Sequence, residues 1–143
     1  MKDLLAHPKT VAVHFRHYFD TRPEYHPTLR NSYYRKCFAK FDKEHLFVIF
    51  SNDIKRAKIY FSRFRVKYNI LFIENSPHLD DFYLMSLCKH NIIANSSFSW
   101  WSAYLNMNPK KRVLTPSNKH WFGPAYKNYN TEDLLPDEWE KVF

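Results

Sequence analysis

The sequence predicts an α/β fold, a parallel sheet with helices on both faces. Short runs rich in Val, Ile, Leu and Phe alternate with segments whose apolar residues recur every three or four positions. One run, Leu46-Phe47-Val48-Ile49-Phe50, is apolar throughout, as in a strand buried on both sides of a sheet. Two of the runs stop at clusters of helix-capping residues, Ser51-Asn52-Asp53 and Asn95-Ser96-Ser97.

The elements follow in order. Thr10 to Arg16 is a first strand through Val11, Ala12 and Val13, and a polar loop with Pro23 and Pro27 follows it. Thr28 then caps a helix through Leu29, Tyr33, Tyr34, Cys37 and Phe38. After Leu46 to Phe50, Asp53 opens a helix with Ile54, Ala57, Tyr60 and Phe61 along one side. Ile70 to Ile73 is the third strand, and Leu79 to Lys89 the third helix. Ile92 to Asn95 is the fourth strand, followed by a helix from about Phe98 to Met107 in which Trp100 and Trp101 are expected in the core. Arg112 to Leu114 is a fifth strand stopped by Pro116, and a short last helix is expected around Asp137 to Val142. Right-handed crossovers make 3-2-1-4-5 the simplest strand order. In such a sheet the first and fourth strands are neighbours, and ligands bind outside their carboxyl ends.

A chain of 143 residues is enough for a single domain, here 1–143, with a core of its own. No apolar run approaches the length of a membrane span, and Met1 to His7 has too short an apolar stretch for a signal peptide. These features lead to the expectation of a soluble, cytoplasmic protein in which Cys37 and Cys88 are buried free thiols. In that compartment the acceptor-like tripeptide Asn95-Ser96-Ser97 stays unglycosylated. The formal net charge of +8 favours an anionic partner: nucleic acid, a phosphorylated ligand or an acidic membrane surface. The basic residues cluster at Arg56, Lys58, Arg63, Arg65 and Lys67 and again at Lys110, Lys111 and Arg112. Gly123 is the single glycine, which excludes Gly-rich dinucleotide and Walker-type loops. A nucleotide would have to be held by side chains and helix N-termini.

Parallel strands bring their ends to one rim. There Arg16 offers a fork of donors suited to phosphate oxygens. His14 offers one donor and one acceptor. Asp53 can accept two N–H bonds from the edge of a base such as guanine. Asn95 closes the fourth strand, and Ser96, Ser97 and Ser99 add hydroxyls to the unpaired N–H groups of a helix start. Each residue also has an ordinary structural use: Asp53, Asn95 and Ser96 as caps, Arg16 in an ion pair, His14 in the core.

His14-Phe15-Arg16, Phe47 to Asp53, Asp81-Phe82-Tyr83-Leu84-Met85-Ser86 and Asn95-Ser96-Ser97-Phe98-Ser99-Trp100-Trp101 resemble glycosyltransferase family 11, the α-1,2-fucosyltransferases. Lys119-His120-Trp121-Phe122 and Leu135-Pro136-Asp137-Glu138-Trp139 resemble that family's C-terminal end. The resemblance covers nearly the whole chain but only the C-terminal half of a typical member. It implies a Rossmann-like sheet, as in the C-terminal domain of a GT-B glycosyltransferase, that binds GDP-fucose. It implies His14 and Asp53 near guanine, Arg16 on the β-phosphate, and Ser96, Ser97 and Ser99 along the diphosphate. The implied chemistry is inverting transfer of L-fucose to a galactose hydroxyl of a glycan, with no metal and no cofactor beyond the donor.

Two departures stand out. Family members usually continue the first motif as Arg-Arg-Gly-Asp, whereas Arg16 is followed by His17-Tyr18-Phe19-Asp20. The half expected to carry much of the acceptor site is also absent, so an N-terminal half or a second subunit enters as an implied partner. The general base is open, with His17, Asp20 and Glu24 as candidates by position after the first strand. A peripheral membrane contact is left open. A basic nucleic-acid-binding module and a catalytically inactive remnant or partner subunit are the alternatives. No nucleic-acid recognition motif appears, so no nucleic acid is expected as partner.

Overall fold

The computed structural model describes residues 2–18 and 22–143. Among these described residues six parallel strands form one sheet in the order β3-β2-β1-β4-β5-β6. They are β1 (Thr10–Phe15), β2 (Leu46–Ser51), β3 (Asn69–Phe72), β4 (His90–Ile92), β5 (Val113–Thr115) and β6 (Glu140–Lys141). The helices are α1 (Lys2–Ala6), α2 (Asn31–Phe38), α3 (Ile54–Tyr60), α4 (His78–Leu87) and α5 (Ser97–Tyr104). The Rossmann-like α/β architecture and its switch point between β1 and β4 are those expected from the sequence.

Alternating residues of the central strands separate the two faces. Val11, Val13, Phe47 and Ile49 pack against Tyr33, Tyr34, Cys37 and Phe38 of α2, against Ala57 of α3 and against Phe61 just after it. Ala12, Val48 and Phe50 face Leu84 and Met85 of α4 and Leu4 of α1. Ile93 and Val113 pack with Ala103 of α5 and with Trp121, Leu135 and Trp139 of the tail. The first face is unusually aromatic: Phe38 stacks on Phe47 with ring centroids 4.1 Å apart. Both cysteines are buried free thiols, and burial pushes each up to about 12.

The structure corrects several expectations. The segment expected as a last helix contributes β6 instead, held by the Val142 N–H bond to the Thr115 carbonyl and by Arg112, whose fork grips Glu140 at 2.8 and 2.9 Å. The helix expected to be capped by Thr28 starts later, after Arg30, because the Thr28 hydroxyl accepts from the Tyr18 N–H at 3.0 Å. The fourth strand ends at Ile92, although the Ile93 N–H still reaches the Leu114 carbonyl. The short helix α1 was not anticipated.

Gly123 is where two surface segments touch. A Cβ at this position would overlap the Glu24 carbonyl group. Its N–H donates to the Tyr25 carbonyl, and the Ala125 N–H donates to the Glu24 carbonyl. Only glycine permits so close an approach, and the approach brings Phe122 beside His26.

Candidate active site at the switch point

A cavity of about 870 Å³ opens at the carboxyl ends of β1, β2 and β4. That volume suits a nucleotide-sized ligand. Register explains the convergence: β1 lies between β2 and β4, so residues just beyond Phe15, Ser51 and Ile92 meet. His14, Arg16, Asn95, Ser96 and Ser97 all line this cavity. Asp53 and Ser99 lie outside its lining.

Each placement has a local cause. Ser96 caps α5, its hydroxyl accepting from the Phe98 N–H at 3.3 Å. Ser97 is therefore the first helical residue, exposed at the positive end of α5. Ser99 faces inward: its hydroxyl accepts from the Ala94 N–H at 3.2 Å and lies within reach of the Ala94 and Ser96 carbonyls, closing the turn between β4 and α5. Asp53 caps α3, accepting from the Arg56 N–H at 3.1 Å. Asn95 ties three segments together. Its side-chain amide donates to the carbonyls of Pro27 and Trp121 at 2.8 and 3.0 Å, and its backbone carbonyl receives the Tyr18 hydroxyl.

The loop after β1 is clamped to the end of β2. The His17 N–H donates to Asn52 Oδ1 at 2.8 Å, and Asn52 Nδ2 donates back to the His17 carbonyl at 2.9 Å. Arg16 sits between these anchors, its guanidinium 5.0 Å from the centre of the Tyr18 ring. Of the three candidates for general base, His17 and Glu24 are outside the cavity lining, and the Glu24 carboxylate lies 3.7 Å from Arg22. Asp20 falls outside the described residues.

His14 is 5% exposed, and its Nδ1 has no hydrogen-bond partner among the described residues. Burial, aided by the charge of Arg16, lowers its pKa to about 3, so the ring is neutral at physiological pH. The folded value lies below the unfolded value of 6.5, so the unfolded chain binds a proton that the folded chain refuses. This contribution to stability is complete above the unfolded value and is lost as pH falls toward the folded one. His90, lowered to about 4 by burial, His45 and Arg112, acts with the same sign. Urea unfolding followed downward from neutral pH is expected to show this loss, with His14 contributing up to about 1.4 kcal/mol per pH unit. His14→Gln flattens the profile, and an unchanged slope would contradict the assignment.

His26 Nδ1 and Asn95 Oδ1 are likewise buried without a hydrogen-bond partner among the described residues, and sequence reasoning missed one more such atom at the cavity. Asp81, in the first turn of α4, lines it, and its Oδ1 has no hydrogen-bond partner among the described residues. Burial raises this carboxyl above its ordinary range despite opposing contacts with Ser76 and His78. Phe98 links the two places, its ring 5.6 Å from His14 and 5.4 Å from Phe82. The available signal was an aspartate opening a largely apolar helix. Trp101 is a further correction: both tryptophans line the cavity, but Trp101 is 51% exposed, whereas Trp100 is partly buried and its indole N–H donates to the Leu134 carbonyl at 2.9 Å. Among the described residues no three His, Cys, Asp or Glu side chains gather as a metal site, and no helix is long and apolar enough to cross a membrane.

Sheet order and cavity place the molecule in the class of Rossmann-like α/β proteins with a ligand-sized crevice at the switch point. The sequence model of glycosyl transferase family 11 matches residues 3–140, and the chain belongs to that family. Two Escherichia coli relatives agree. An O-antigen biosynthesis glycosyltransferase, WbnK, is 32% identical over 96% of this chain and 46% of its own length. An alpha-1,2-colitosyltransferase is 36% identical over 68% of this chain and 32% of its own length. The chain thus spans less than half the length of either relative.

Proposed function

We propose that residues 1–143 form the GDP-sugar-binding domain of a family 11 glycosyltransferase, its C-terminal half. The proposed reaction transfers L-fucose from GDP-fucose to a galactose hydroxyl of a glycan, inverting and without a metal. The observation that carries this reading is a set of open buried atoms, His14 Nδ1, His26 Nδ1, Asp81 Oδ1 and Asn95 Oδ1, on residues that share a cavity with Arg16 and the N-terminus of α5. A buried polar atom without a protein partner is costly unless a ligand completes it.

In this reading Asp81 accepts the paired N–H donors of the guanine edge. Arg16 and Ser97 hold the diphosphate with the first turn of α5, and the charge that develops on the leaving group is stabilised there. Asp53, Asn95, Ser96 and Ser99 act mainly by fixing the loops and the helix start. The proton of the acceptor hydroxyl passes to a base in the segment after β1, where His17, Asp20 and Glu24 stand. A further segment or second subunit completes the acceptor site. The alpha-1,2-colitosyltransferase relative makes a colitose donor the second candidate, since colitose is L-fucose without one hydroxyl.

Calorimetric titration with GDP, ADP, UDP and a short oligonucleotide tests the reading. GDP is expected to bind most tightly. Asp81→Asn, which replaces a charged acceptor by a neutral amide, is expected to weaken GDP by about tenfold or more and to narrow its lead over UDP. Equal affinity for the three nucleotides, or a preference for the oligonucleotide, would overturn it.

A further inference from the structure

The protein's formal charge is concentrated on one side of the fold. Residues 30–67 hold eleven basic and three acidic side chains, a surplus equal to the whole +8 of the chain. The segment supplies α2 and α3, which cover the same face of the sheet. Its densest part runs from α3 through the 3-10 turn at Phe64–Val66, with Lys55, Arg56, Lys58, Arg63, Arg65 and Lys67 and no acidic residue among them.

Packing fixes which way this stretch faces. Ala57, Phe61 and Phe64 are buried in the aromatic core, which leaves all six basic side chains exposed. Between the charges project Ile59 and Val66, 77% and 92% exposed. Acids appear only at the rim, where Asp53 lies 3.6 Å from Arg56 and Glu74 lies 2.7 Å from Lys58. Among the described residues the other four cations have no acidic partner. Arg65 and Lys67 instead lie over the rings of Phe72 and Tyr68.

Aliphatic tips surrounded by cations match the two layers of an anionic bilayer surface: the tips enter the acyl boundary while the cations meet the phosphates. A single-stranded nucleic acid would instead want outward aromatics for base stacking. Here Phe61 and Phe64 are buried, and the Tyr60 hydroxyl is turned in to the Leu29 carbonyl at 3.0 Å. No residue of the stretch lines the switch-point cavity, so contact through this face leaves the cavity open.

We propose that the exposed face of Lys55 to Lys67 is a peripheral docking surface for an anionic phospholipid bilayer. The proposal stands apart from the nucleotide reading, since it uses none of the cavity residues. Cosedimentation with vesicles tests it. The protein is expected to pellet with phosphatidylcholine vesicles containing phosphatidylglycerol, to stay in solution with phosphatidylcholine alone, and to be released by salt. The quadruple variant Lys55→Gln, Arg63→Gln, Arg65→Gln and Lys67→Gln is expected to bind several hundredfold more weakly, at about fivefold per basic residue. Ile59→Ser with Val66→Ser weakens binding by about tenfold or more and keeps the preference for anionic lipid. Leu79→Ser and Leu87→Ser on α4 with Met107→Ser just after α5, all three exposed, leave it unchanged. Melting curves of every variant check the fold. Equal binding to both vesicles, full binding by the quadruple variant, loss of binding in the α4–α5 variant, or displacement of the protein from vesicles by an oligonucleotide would each overturn the proposal.

Discussion

Arg16→Ala is expected to weaken GDP binding by about a hundredfold, roughly 3 kcal/mol, while the melting temperature stays close to that of the parent. Arg16 lies at the cavity, just past the end of β1, and is half-buried there. Its planar fork can bond two phosphate oxygens at once in a partly dry site, where charge-assisted hydrogen bonds are strongest. Arg16→Lys keeps the charge but not the fork and restores only part of the affinity. The Asn52 clamp on the His17 backbone holds the loop in the variant as well, so the fold is expected to survive the change. Calorimetry with GDP reads the loss, and a thermal melt without ligand separates binding from folding. An Arg16→Ala protein that binds GDP as the parent does would remove the phosphate contact from the account.

Trp100→Ala is expected to cost about 3 kcal/mol of stability and to lower the melting temperature by on the order of 10 °C. Trp100 stacks on Tyr104 with centroids 5.2 Å apart, touches Trp139 at 5.2 Å, and donates to Leu134. It therefore joins α5 to the C-terminal tail, and its removal opens a void between them and leaves a carbonyl unpaired. Trp101→Ala should change the melting temperature little, because that ring is half in solvent. A comparable loss in both variants would contradict this division of labour between adjacent tryptophans.

The sheet was legible because its strands announce themselves. Leu46 to Phe50 has no polar residue to place on a solvent face, and only a central parallel strand tolerates that. The two-residue strand β6 carries no periodicity of its own; a bidentate Arg112–Glu140 pair and one backbone bond to Thr115 create it. Thr28 had the chemistry of a cap, but a distant N–H, that of Tyr18, claims its hydroxyl. Such competition is tertiary and leaves no local trace.

The candidate site divides the same way. His14, Arg16, Ser96 and Ser97 could be placed together because parallel strands force their carboxyl ends to one rim. Asp53 and Asp81 could not be told apart, since each is an acid near a helix start, which the helix dipole favours whether or not a ligand is near. Packing separates them: the Asp53 carboxylate is occupied with Arg56, whereas Asp81 keeps one buried oxygen open. Gly123 was conspicuous as a lone glycine, yet its reason, the passage of the Glu24 backbone against it, lies a hundred residues away in sequence.

A crystal structure of the protein with GDP tests the central assignment most directly. The account predicts the β-phosphate within hydrogen-bond distance of Arg16 and of the Ser97 end of α5, with the guanine edge on Asp81 and the His14 ring alongside. Nucleotide bound against the α3 face, or in the cavity with its phosphates turned away from Arg16, would contradict it.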